Sequence, residues 1–131
     1  MKRRLVRTFI ISQLIEMDEY KEELLHLLNE LKSLRVIVEG RKDKISLEEL
    51  GFKKIVVLNN YSGFFDVVSK IKDEEVLILT DFDPEGEEIA KKIRGLLIKM
   101  GKNVDVRDRK KLRKLFIKNK LSTVEGLKRL F

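Results

Sequence analysis

The sequence predicts an α/β protein in three layers, with a four-stranded, mainly parallel sheet held between helices. Three observations carry this. The strand candidates "RVIV", "KKIVVL" and "EEVLIL" are continuous apolar runs rather than alternating ones, as expected of strands buried on both faces. They alternate in the chain with helix patterns. The length, 131 residues, suits one domain with a single core.

The elements follow in order. "MDEYKEELLHLLNELKSL" places Tyr20, Leu24, Leu27, Leu28, Leu31 and Leu34 on one helical stripe. His26 lies off that stripe and reads as an ordinary surface residue. Val36, Ile37 and Val38 form the first strand. "SLEE" from Ser46 has the form of a capping box opening a short helix that Gly51 ends. "KKIVVLN" is the second strand, and "SGFFDVVSKIK" is a helix with Phe64, Phe65, Val68 and Ile71 on its core side. "EEVLILT" is the third strand, and "EEIAKKIRGLLIKM" is a helix that stops at Gly101. "NVDVRD" reads as the fourth strand. A basic helix follows, then "STVE" at Ser122 to Glu125 as a second capping box.

Residues 1–33 therefore form an N-terminal helical segment packing on the domain, 34–106 the α/β core, and 107–131 basic C-terminal helices, all within one domain. The net charge is +7; residues 107–131 alone carry ten Lys/Arg against two acids. Such a segment suits a phosphate backbone. Its candidate contacts are Arg109, Lys110, Lys111, Arg113 and Lys114. The chain has no cysteine and one histidine, which excludes a disulfide framework, a thiolate zinc site and histidine-pair catalysis. The lack of cysteine fits a cytoplasmic protein. No stretch is long enough to span a membrane, and the N-terminal "FII" is too short for a secretory signal.

Chemistry concentrates in "ILTDFDPEGEEIA", residues 78–90. An apolar strand runs into Asp81 and Asp83, one residue apart. In extended chain they share a face. Carboxylates so close repel unless a cation lies between them, and oxygen-only ligands suit Mg²⁺ or Mn²⁺. Asp83 before Pro84 also reads as a helix N-cap, and Glu85 and Glu87 favour the positive end of that helix. Gly86 lets a phosphate or a neighbouring loop approach the backbone. Glu39 closes the first strand in the same manner, in "VIVEGRKD". If the first and third strands are neighbours, the acids meet at the carboxyl edge of the sheet, where such folds bind ligands. The dinucleotide and P-loop glycine fingerprints are absent.

"VIVEGRKD" and "LTDFDPEGEEIA" together resemble the two signature motifs of the Toprim domain, shared by topoisomerases, primases, small ribonucleases and overcoming-lysogenization-type nucleases. The second motif is closest to the type IA topoisomerase form, Asp-x-Asp-x-Glu-Gly-Glu, which Asp81, Asp83, Glu85, Gly86 and Glu87 match. Two departures are Phe82, where proline is usual, and Pro84, where topoisomerases carry a basic residue. The resemblance covers roughly residues 34–106 and implies the Toprim, Rossmann-like fold. The layout is similar to short archaeal stand-alone Toprim proteins related to the ribonuclease that matures 5S ribosomal RNA.

The resemblance implies Glu39 as general acid/base, close to metal, with Asp81 and Asp83 as catalytic Mg²⁺ ligands. It makes Glu85 the third acid of the topoisomerase form, and Asp43 matches an aspartate often found four residues after the glutamate. One or two Mg²⁺ ions, or Mn²⁺, are implied as cofactor. The expected activity is a small nuclease, RNA processing favoured over DNA, with nucleic acid or a ribonucleoprotein as partner. Arg41, Lys42 and Lys44 flank Glu39 and are further nucleic-acid contacts. Strand passage needs a tyrosine on a separate, larger module that is missing here; Tyr20 belongs to a helix stripe and Tyr61 to a loop. Two alternatives are a non-catalytic, metal-dependent RNA- or ribosome-binding module, and a haloacid-dehalogenase-like phosphatase with Asp81 as nucleophile.

Overall fold

The computed structural model describes residues 2–131; within the first helix, side chains are described at residues 8, 10–12 and 15 and continuously from 18 onward. Helix α1 (Lys2–Leu31) leads into β1 (Arg35–Val38), α2 (Arg41–Glu49) and β2 (Ile55–Val57). A 3₁₀ turn (Leu58–Asn60) precedes α3 (Phe64–Lys70), β3 (Glu75–Ile78), α4 (Pro84–Lys99) and β4 (Asn103–Val104). Helices α5 (Val106–Lys118) and α6 (Leu127–Leu130) complete the order. Among the described residues, no helix is long and apolar enough to cross a membrane.

All strand pairs are parallel, in the order β2-β1-β3-β4. The strands are short and hydrophobic on both faces because both faces are covered. Val36 and Val38 of β1 join Leu77 and Leu79 in a core shared with Leu24, Leu27, Leu28, Leu47, Leu112 and Phe116 from α1, α2 and α5. Ile37, Val76 and Ile78 turn the other way, onto Val67, Val68, Ile93 and Leu97 from α3 and α4. The period of two along each strand thus feeds two separate cores.

Connectivity places the crevice. From β1 the chain steps through α2 to β2 on one side; through α3 it then crosses to β3 on the other side of β1. The strand order reverses between β1 and β3, the position at which open α/β sheets bind ligands beyond the carboxyl ends of their strands.

Four local expectations are corrected. Helix α2 starts at Arg41, so Ser46 is internal to it. Its hydroxyl donates to the Lys42 carbonyl at 3.1 Å instead of capping. The fourth strand is only Asn103–Val104; Asp105 caps the next helix through the Asp108 amide at 2.8 Å, so Val106 to Asp108 are helical. "STVE" opens no helix at Ser122; that segment is a loop, and α6 begins at Leu127. Phe65 does not pack in the core: it is 68% exposed, whereas Phe64 is half-buried beside α4.

Candidate functional site

Glu39 joins three strand ends. Its backbone carbonyl accepts from the Asn59 amide just beyond β2, at 3.1 Å. Its side-chain Oε1 accepts from the Asp81 amide just beyond β3, also at 3.1 Å. The register explains the second bond. Ile37 is opposite Ile78, and the Leu79 amide still donates to the Ile37 carbonyl at 2.8 Å. Two residues later the backbone ladder ends and the glutamate side chain takes over.

Asp81 is held by a segment far along the chain. Its Oδ1 accepts from the Val124 amide at 2.9 Å, and the neighbouring Phe82 amide donates to the Ser122 carbonyl at 2.7 Å. Residues 122–124 therefore strap the loop from outside. Phe82, the departure from the usual proline, packs edge-on against Phe116 with ring centroids 4.8 Å apart. An apolar side chain at that position ties the loop to the core shared with α5.

Asp83 is the N-cap of α4, accepting from the Gly86 amide at 2.7 Å, with Pro84 at the first helical position. Of the two approaches expected at Gly86, by a phosphate or by a neighbouring loop, it is the loop that comes close. A Cβ there would lie 2.0 Å from the Asp81 carbonyl oxygen, so the space is filled by neighbouring backbone. Buried Thr80 completes the lock, its hydroxyl donating to the Gly86 carbonyl at 2.7 Å.

Asp43 lies in the first turn of α2, buried, and accepts from the Gly40 amide at 3.1 Å. Burial raises the pKa of Glu39, Asp43 and Asp81 alike, and neighbouring carboxylates push further: Asp81, Asp43 and Asp83 act on Glu39, and Asp43, Asp83 and Glu125 act on Asp81. Glu125 was not singled out for this role in the sequence, where it reads as a capping-box acid. Only the strap brings it beside Asp43 and Asp81.

These groups fit a hard divalent cation in donor type. Asp81 and Asp83 each commit one oxygen to a backbone amide and keep another. Among the described residues, however, no three acidic side chains stand close enough to form a complete cation cage. Mg²⁺ retains waters and is commonly held by one or two carboxylates plus substrate phosphate, so an open half-shell of this kind suits it. Glu85 is exposed on the first turn of α4.

The basic residues divide. Arg41 and Lys42 are exposed and Lys44 half-buried on α2, directly after Glu39. Lys110, Lys111, Arg113 and Lys114 are exposed along α5. Arg109 is different, because its guanidinium is engaged within the fold. It donates to the Ile78 and Thr80 carbonyls at 2.9 and 3.2 Å and to Glu87 at 3.0 Å, with its guanidinium 4.7 Å from the Phe82 ring centre. It is 13% exposed and holds the end of β3 in place.

The Toprim domain family matches residues 33–107. The chain belongs to the Toprim family. A UPF0292 protein of Pyrococcus furiosus is 39% identical over 70% of this chain and 69% of its own length. Another, of Thermococcus kodakarensis, is 34% identical over 87% and 86%. A solved structure, a putative protein from Aquifex aeolicus, has 30% identity and a TM-score of 0.63, covering 83% of this chain and 95% of that one. The Toprim domain is a metal-binding fold of nucleases and topoisomerases and generally binds Mg²⁺. This Toprim protein accordingly resembles small archaeal proteins over most of its length. Family membership sets aside the phosphatase alternative.

Proposed function

We propose that this Toprim protein is a Mg²⁺-dependent nuclease acting on nucleic-acid phosphodiesters, with RNA favoured. The observation that carries the reading is the 3.1 Å bond between the Glu39 carboxylate and the Asp81 amide. It joins the acids of β1 and β3 across the crevice where α/β sheets bind ligands.

Asp81 and Asp83 would hold one or two Mg²⁺ or Mn²⁺ ions, with Glu39 and Glu85 nearby. The cation would neutralise charge building up on the phosphate oxygens. Glu39, its pKa raised by burial and crowding, supplies a proton to the oxygen that leaves phosphorus. A water molecule forms the new bond to phosphorus as the bond to that oxygen breaks, and the water's proton passes to solvent, from which Glu39 is reprotonated. The strap keeps the Asp81 carboxylate from rotating away. Arg41 and Lys42 stand beside Glu39 and offer charge to the flanking phosphates. A cytoplasmic location, with RNA free or in a ribonucleoprotein, agrees with the lack of cysteine.

A second reading, a metal-dependent RNA- or ribosome-binding module without cleavage, draws on the exposed Arg41 and Lys42 of α2 and Lys110, Lys111, Arg113 and Lys114 of α5, which can hold a phosphate backbone whether or not it is cut. One experiment separates the two. Labelled structured RNA and single- and double-stranded DNA are incubated with the protein and Mg²⁺, Mn²⁺ or chelator. Glu39→Gln and Asp81→Asn serve as controls, since both retain an acceptor for the amide each carboxylate binds. The nuclease reading expects cut ends that vanish with chelator and in both variants. Retarded but uncut RNA selects the binding module. Cleavage unchanged in both variants overturns the site assignment.

A further inference from the structure

Beside the acidic rim, α4 and α5 diverge and leave an open cleft of about 440 Å³. Its floor is apolar, built from Ile78, Ala90 and Val104. Its walls are basic: Lys91 and Arg94 come from α4, and Lys110 and Arg113 from α5. None of these four forms an ion pair among the described residues, and all four are exposed. The carboxylates on the lining are Glu87, Glu88 and Asp105, and Arg109 neutralises Glu87. Five cations therefore face three acids, and the field in the cleft is positive.

We propose that this cleft binds a nucleotide of the strand flanking the scissile phosphodiester. The base would lie on the apolar floor, with its phosphates between the α4 and α5 cation pairs. The inference rests on the nuclease reading for what is cut, but binding in the cleft can be tested without cutting. Three features support it. A two-sided cation wall over an apolar floor matches the chemistry of a nucleotide, whose flat base is weakly polar and whose backbone is anionic. The volume is that of a small-ligand site. Pro84 and Glu87 line the cleft while Asp83 caps the same helix, so the cleft begins within one helical turn of the acidic rim. A strand is favoured over a free nucleotide because no glycine-rich phosphate cradle is present and the cleft is open.

Binding of a fluorescent single-stranded RNA oligomer to the full chain, in chelator so that nothing is cut, tests this. Lys91→Ala with Arg94→Ala, and Lys110→Ala with Arg113→Ala, are compared with Lys92→Ala with Lys99→Ala. The control pair removes the same charge from exposed positions of α4 that do not line the cleft. Each cleft pair should weaken binding about tenfold or more and reduce the salt slope by about 1.4, near 0.7 per lost phosphate contact on a single strand. The control should change affinity less than about threefold, since those charges act only through a screened field. Equal losses in cleft and control pairs, or no RNA binding by the unmodified protein, would overturn the inference. Displacement of the oligomer by micromolar AMP would overturn the strand assignment in favour of a free nucleotide. If the unmodified protein binds through the cleft but cuts nothing with Mg²⁺ or Mn²⁺, the nuclease reading falls and the cleft stands.

Discussion

Gly86 is wedged against the backbone of Asp81: a Cβ at position 86 would lie 2.0 Å from the Asp81 carbonyl oxygen and 2.7 Å from its carbon. Neither side can retreat easily, because Asp83 holds the Gly86 amide and Thr80 holds its carbonyl. Gly86→Ala should destabilise the protein by about 3 kcal/mol, the upper part of the overpacking range. Gly95, in the same helix, has nothing within 4 Å of a built Cβ. Gly95→Ala should stabilise by about 0.5–1 kcal/mol through helix propensity. Urea denaturation of the two variants should give opposite signs.

Arg109 joins β3, α4 and α5 at one point. Arg109→Ala leaves the Ile78 and Thr80 carbonyls without its donors and Glu87 without its partner. A loss of about 2–4 kcal/mol is expected. Arg109→Lys should recover only part of it, since an ammonium cannot reproduce the guanidinium fork. Lys111→Ala, on the same helix but exposed, should change stability by less than about 0.5 kcal/mol. Thermal unfolding of the three variants checks the order.

Among the described residues the buried Asp105 Oδ2 has no hydrogen-bond partner, and burial, with the Asp108 carboxyl beside it, pushes the Asp105 pKa up to about 6. An acid whose folded pKa lies above its unfolded value keeps a proton that the unfolded chain releases. Its contribution to stability is therefore lost as pH rises from about 4 to about 6. Asp105→Asn removes that loss and retains an acceptor for the Asp108 amide. It should stabilise by about 1 kcal/mol at pH 7.5, after allowing for partial solvent screening, and by almost nothing at pH 4. Melting temperatures at the two pH values decide it.

Phe65 and Phe116 make a contrasting pair. Phe116 is fully buried, and Phe116→Ala should destabilise by about 3–5 kcal/mol. Phe65 is 68% exposed, so Phe65→Ala should stay within about 0.5 kcal/mol. A large loss at Phe65 in chemical denaturation would contradict its placement on the surface.

Legibility in the sequence followed the range of the forces involved. The β1 and β3 runs were readable because both faces of the sheet are covered, which leaves no polar residue inside the strand. The meeting of Glu39 with Asp81 was readable on condition that those strands pair, and they do. Helix starts were less readable. Gly40 opens α2 without a side-chain cap of its own, while "SLEE" offered a better local signal that the fold does not use. Asp105 stops β4 early because its side chain satisfies the next helix. Phe65 was misplaced because α3 is only seven residues long, too short for its periodicity to define a buried face. The roles of Arg109, Val124 and Glu125 depend on contacts across 22 to 43 or more residues, which no local pattern records.

The bond from the Val124 amide to Asp81 has a consequence for the order in which the molecule is made. Synthesis runs from the N-terminus, so every strand and every acid from Glu39 to Asp83 emerges before the residue that steadies Asp81. A growing chain can pair its sheet while that carboxylate still swings freely. The rim reaches the shape described above only when residues 122–124 emerge and dock, so a half-made polypeptide would carry the acids without that anchor.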